Sequence, residues 1–141
     1  MNAATRYDIV VVGAGNAALT AALSASQNGA RVIVLEKAPQ VERGGNSRFS
    51  GGVFRFAYEG IEDIKPLLTG PEIKQIDGAD VGRYDPSIYY DDVMRVTQRE
   101  ASTELSRTLT KESLSTMLWM SELGVEWEWT YLWATKTEEG T

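Results

Sequence analysis

Neither cysteine nor histidine occurs anywhere in the 141 residues. The first absence excludes disulfides and thiol redox chemistry; together they exclude Cys/His zinc sites and any Ser-His or Cys-His catalytic pair. Basic residues are outnumbered, 14 against 20 acidic, for a net charge of −6. A nucleic-acid role through a basic surface is therefore not expected. No hydrophobic run is long enough for a signal peptide or a membrane span, which makes a cytoplasmic location the default expectation. What remains is ordinary: 43% hydrophobic and 24% charged residues, the balance of a soluble globular chain of one-domain length.

The informative stretch is Tyr7-Asp8-Ile9-Val10-Val11-Val12-Gly13-Ala14-Gly15-Asn16-Ala17-Ala18, closed by Glu36-Lys37. Ile9 to Val12 read as a short strand buried on both faces. Ala17 to Ala25 read as a helix that Asn28-Gly29 stops. Ala30 to Glu36 read as a second buried strand. Strand, glycine turn, helix and strand within about 30 residues make one βαβ unit. Gly13 permits the tight turn, Gly15 lets a pyrophosphate approach the backbone, and Ala18 lets the helix lie close to the strand. The free N–H groups and positive dipole end of the helix favour phosphate. Glu36, at about the 20-residue offset, is placed to accept from a ribose diol and to repel a 2′-phosphate, favouring FAD or NAD over NADP.

A second glycine cluster follows Ala38-Pro39-Gln40-Val41-Glu42-Arg43: Gly44-Gly45-Asn46-Ser47-Arg48-Phe49-Ser50-Gly51-Gly52. Two Gly-Gly pairs carry too much backbone freedom for a core strand. The segment suits a loop running along a ligand, with small hydroxyls from Ser47 and Ser50 and an amide from Asn46. A plain surface loop is the competing reading.

Taken together, Gly13-Ala14-Gly15-Asn16-Ala17-Ala18, Leu35-Glu36-Lys37 and Gly44-Gly45-Asn46-Ser47-x-x-Ser50-Gly51-Gly52 resemble the FAD-dependent fumarate reductase and succinate dehydrogenase flavoprotein family. The likeness continues through Arg48 to Tyr58 and Ile61-Glu62-Asp63-Ile64, and is greatest to the N-terminal part of its tricarballylate dehydrogenase branch, whose members are several times longer. The resemblance implies an α/β, Rossmann-like FAD-binding unit. The first motif would hold the pyrophosphate, the acid the adenosine ribose, and the second segment the ribityl chain and flavin. It implies as cofactor-binding residues Gly13, Gly15, Asn16, Ala17, Ala18, Glu36, Lys37, Gly44, Gly45, Asn46, Ser47, Arg48, Ser50, Gly51 and Gly52. With no His or Cys, the FAD is expected to be non-covalent. The substrate-clamping and proton-transfer residues of the family lie in a cap domain and a C-terminal segment with no counterpart here. No catalytic residue is therefore named, and a small carboxylate substrate is expected only with that further part.

Four segments are expected. Residues 1–58 carry the FAD-binding unit and second glycine segment. Residues 59–86, with Gly60, Pro66, Gly70-Pro71, Gly78, Gly82 and Pro86, read as an excursion of loops and short turns. Residues 87–124 read as helical, starting at Pro86-Ser87 and capped by Gly124. Val93, Val96, Leu105, Leu109, Leu114, Met117, Leu118 and Leu123 mark the apolar face, with a break near 101–103 or 108–110. Arg95, Arg99 and Arg107 read as partners of helix-surface acids. In residues 125–141, Trp127, Trp129, Tyr131 and Trp133 alternate with Glu126, Glu128 and Thr130, as a strand with one aromatic face before a frayed tail. Two clear parallel strands are few for such a sheet, so the chain reads as an incomplete domain, the start of a larger protein.

Three functions compete at this point. The first is the FAD-binding portion of an oxidoreductase acting on a small di- or tricarboxylate such as tricarballylate. The second is a fragment of a NAD-dependent dehydrogenase, against which the second glycine cluster counts. The third is a stand-alone dinucleotide-binding module without activity.

Overall fold

In a computed structural model of the chain, residues 6–76 and 78–129 are described. They fall into two compact units, Met1–Phe54 and Arg55–Thr141.

The first unit is the βαβ element. Strand β1 (Ile9–Val12) and strand β2 (Val32–Leu35) pair in parallel, with Ile9 opposite Val32 and Val12 opposite Leu35. Helix α1 (Asn16–Gln27) connects them. It stops as its sequence dictates: Asn28 Nδ2 donates to the Ser24 carbonyl, and the N–H of Gly29 donates to Ser26. At the entry to β2, Arg31 grips Asp8 with Nε and Nη2, each 3.1 Å from a carboxylate oxygen. This contact holds the Asp8 carboxyl below its ordinary value.

The strands are not buried on both faces as expected. Val10 and Val12, alternate residues on one face of β1, are 56% and 81% exposed. The physical reason is that apolar content selects extended backbone, but burial requires a second layer. Two strands and one helix supply it on one face at most.

The second unit carries the buried core. Residues 59–86, expected as loops and turns, hold helix α2 (Ile61–Ile64), a 3-10 turn (Lys65–Leu67) and helix α3 (Pro71–Ile76). The prolines initiate rather than interrupt: Pro71 takes the first position of α3, where a missing N–H costs nothing. Ile64, Leu68 and Ile76 form the cluster on which Phe56, Tyr58, Ile61, Val81, Trp127 and Trp129 pack. Tyr58 and Tyr84 close an antiparallel bridge, with N···O distances of 2.8 and 2.9 Å.

Helix α4 (Pro86–Val96) starts as read from Pro86-Ser87. Asp85 is its N-cap, accepting from the N–H groups of Ser87 and Ile88. The chain breaks over residues 97–102, with Gln98 and Arg99 both in the left-handed region, and resumes as helix α5 (Thr103–Glu122), capped by Gly124. The expected apolar face holds in part: Met117 is buried and Val93, Leu114 and Leu118 are half-buried, but the other four residues are exposed. Leu105 is 70% and Leu109 51% exposed, and Val96 and Leu123 are exposed too. The buried residues of α5 are Ser106, Thr110, Ser113 and Met117. Ser113 Oγ accepts from the N–H of Ala57 and donates to the Thr110 carbonyl. Of the three arginines, Arg95 pairs with Asp92, as expected, whereas Arg107 lies over the Tyr90 ring.

Residues 125–129 have no strand partner among the described residues, though Trp127 and Trp129 pack inward and Glu126 and Glu128 stay exposed. The remainder of that expected strand, with Tyr131 and Trp133, lies outside the described residues. Among the described residues no helix is long and apolar enough to cross a membrane.

Candidate cofactor site

The site forms where β1 ends. The N–H of Gly13 donates to the Leu35 carbonyl, extending the ladder by one rung before the chain turns. Gly13 then takes a φ of +105°, a conformation that L side chains rarely adopt. Gly15 caps α1 in extended conformation with no side-chain cap of its own. A Cβ at Gly15 would lie 3.4 Å from Ser47 Oγ and 3.5 Å from the Gly44 carbonyl. The second glycine segment thus lies at van der Waals distance from an added Cβ, and a larger side chain would fill the remaining cradle.

Two oxygens from elsewhere in the sequence hold the turn. Glu36 Oε2 accepts from the N–H of Ala14 at 2.8 Å, and Oε1 accepts from the N–H of Ala38 at 2.9 Å. Ser47 Oγ accepts from the N–H of Asn16 at 2.9 Å. Glu36 is partly buried. The amide of Ala38 first holds its carboxyl below its ordinary value against the opposing effect of burial, with lesser help from the amides of Ala14 and Lys37. The N–H groups of Gly15, Ala17 and Ala18 have no partner among the described residues. They lie at the positive end of α1, the arrangement that takes an anion.

The second glycine segment is not an open loop. Gly45–Phe49, containing Asn46, Ser47 and Arg48, is a 3-10 turn entered through Gly44. Ser50 Oγ donates to the Ser47 carbonyl, and the N–H of Gly52 lies 3.4 Å from Ser50 Oγ. Arg48 donates through Nη1 to the Val41 carbonyl in its own segment. The structure therefore gathers Gly13, Gly15, Asn16, Glu36, Gly44 and Ser47 around one turn. At Gly51 and Gly52 the backbone faces open space, where a Cβ would meet nothing within 4 Å. The sequence reading missed the amides of Ala14 and Ala38 as partners of Glu36. Backbone amides leave no mark in residue identity, so no signal was available.

Two depressions of about 510 and 580 Å³ flank the turn after α4, lined by residues such as Arg95, Gln98 and Glu100. Both are open shelves, and neither gathers the convergent donors found at the glycine turn.

A protein-family model described as an FAD binding domain matches residues 8–141. A fumarate reductase (cytochrome) from Shewanella frigidimarina is 29% identical over 119 residues, 84% of this chain and 18% of that protein. A vinyl phenol reductase from Lactiplantibacillus plantarum is 30% identical over 122 residues, 86% of this chain and 21% of that protein. Over a shorter span of 51 residues, 36% of this chain and 8% of the relative, identity to a 4-oxocyclohexanecarboxylate 2-dehydrogenase from Sinomonas cyclohexanicum is 51%. The chain spans about a fifth of the length of the first two relatives.

Proposed function

This chain belongs to the FAD-binding-domain family of oxidoreductases, related to fumarate reductase-like flavoproteins, and from that premise we propose that it is the cofactor-holding part of a flavin-dependent dehydrogenase or reductase. The observation that carries the proposal is the convergence of Gly15, Glu36 and Ser47 on one turn at the α1 N-terminus. The residues fit a dinucleotide: a cradle that a larger side chain would fill, unpartnered amides at a positive helix end, and an ionised acid at the end of β2.

In this reading, the N–H groups of Gly15, Ala17 and Ala18 bind the pyrophosphate and Glu36 accepts from the adenosine ribose. Asn46, Ser47 and Arg48 line the approach from the second segment, which leads through Ser50, Gly51 and Gly52 toward the ribityl chain. Lacking His and Cys, the chain holds the cofactor without a covalent link. Bound FAD supplies the redox chemistry, hydride transfer between its N5 and a carbon of a small di- or tricarboxylate such as tricarballylate. Clamping and protonating that substrate needs several cationic or acidic groups held at once. Those groups are assigned to a further part of a longer protein, and no catalytic residue is assigned here. A cytoplasmic location accompanies the proposal.

Gly15→Val tests it: side-chain atoms would occupy the cradle, so FAD retention should fall to background while the circular dichroism spectrum keeps its helix content. Unchanged FAD retention by the variant would remove the assignment.

A further inference from the structure

We propose that Glu36 is a positioning residue for the glycine turn itself, fixing the backbone of residues 13–16 before any nucleotide arrives. The inference rests on the FAD reading only for what the turn is prepared to bind.

The turn has little else to hold it. Gly13 and Gly15 are free of Cβ restraint, and Ala14 between them has only a methyl group. Gly13 is pinned by its N–H to Leu35 and Asn16 by its N–H to Ser47. The peptide between these two points is held through the Ala14 N–H, and its acceptor is Glu36 Oε2 at 2.8 Å, 22 residues on. The other carboxylate oxygen is anchored on the Ala38 N–H at 2.9 Å, beyond the end of β2. One carboxylate thus bridges the segment leaving β1 to the segment leaving β2.

This contact and a ribose contact are compatible. The two carboxylate oxygens offer about four lone-pair sites, and the amides of Ala14, Ala38 and Lys37 draw on three of them. A ribose hydroxyl can be accepted on the remaining site without releasing Ala14. The same amides favour the ionised form, so the bridge persists at neutral pH.

The sign of one effect separates this role from simple electrostatics. A carboxylate beside a diphosphate repels it, so removing the charge should tighten binding of a nucleotide that has no ribose diol. If Glu36 sets the turn, removing it should weaken that binding instead.

The experiment uses the purified chain and Glu36→Met, which keeps the length of the stem and removes both acceptors. Amide exchange is read by NMR without ligand, and affinity is read with 2′,3′-dideoxy-ADP, which has no diol. The expected result is exchange of the Ala14 amide at least about tenfold faster in Glu36→Met. Ser47→Ala should speed Asn16 and leave Ala14 unchanged. Dideoxy-ADP should bind Glu36→Met about three- to tenfold more weakly. Should Glu36→Met fail to fold, Glu36→Ala is read by the same two measurements. Unchanged exchange at Ala14, or equal or tighter dideoxy-ADP binding, overturns the inference. If the unsubstituted chain binds neither FAD nor dideoxy-ADP, the FAD reading fails, and the exchange measurement still decides the role in the turn.

Discussion

The main-chain N–H of Asn16, first residue of α1, donates to Oγ of Ser47, 2.9 Å away and 31 residues later in the chain. Gly15, the N-cap residue, has no side chain to accept from the first turn, so a hydroxyl from the second glycine segment does so. The two glycine motifs are thereby one structure rather than two adjacent ones. Ser47→Ala should cost about 0.5–2 kcal/mol of stability, the range for a lost N-cap. Urea unfolding of the two proteins checks this, and Ser47→Thr, which keeps the oxygen, should recover most of the loss.

In the second unit, Ser113 Oγ lies 2.9 Å from the N of Ala57, where both residues are buried. Ser113→Ala would strand a buried N–H. A loss of about 1–3 kcal/mol is expected, more than the usual value of a hydrogen bond between exposed groups. The urea midpoint should fall with an unchanged denaturant slope.

The pH dependence has a definite sign. Asp8 (held chiefly by the Arg31 side chain), Glu36 (by the Ala38 amide), Asp85 (by the Ile88 amide) and Asp92 (by the Arg95 side chain) all have carboxyls below their ordinary values. A folded-state value below the unfolded one contributes stability that is complete above the unfolded value. That contribution is lost as pH falls through the folded value. Ordinary values here are 3.8 for Asp and 4.5 for Glu. With no histidine, no side chain of ordinary pKa titrates near neutrality. Urea midpoints should be flat from about pH 5.5 to 7.5 and fall below about pH 4. A midpoint that rises on acidification would contradict the assignment.

Local signals carried the first unit. An apolar run, a glycine with φ of +105° and an Asn-Gly stop each act within a few residues, and β1, α1 and β2 lie where the sequence places them. What the sequence did not carry depends on partners far away. The exposure of Val10 and Val12 is set by which layers surround the sheet, not by strand composition. Ser106, Thr110 and Ser113 are buried while Leu105 and Leu109 are exposed, and the Ala57 amide that Ser113 meets is not visible to a hydropathy count. The core under α2 and α3 was hidden because Pro66, Gly70 and Pro71 read as breakers although Pro71 opens a helix. The place of Glu36, just after β2, was legible from its offset. Its hold on Ala14 was not, because an amide is common to nearly every residue.

The account turns on which half of a flavin nucleotide the chain grips. In the proposed reading, Glu36, Gly15 and the α1 amides meet ribose and pyrophosphate, features that FAD has and FMN has not. The direct measurement is a calorimetric titration of the purified chain with FAD and, separately, with FMN, followed by displacement of FAD with ADP. The account predicts saturable binding of one FAD per chain, FMN at least about tenfold weaker, and competition by ADP. FMN binding as tightly as FAD, or FAD that ADP cannot displace, would contradict it.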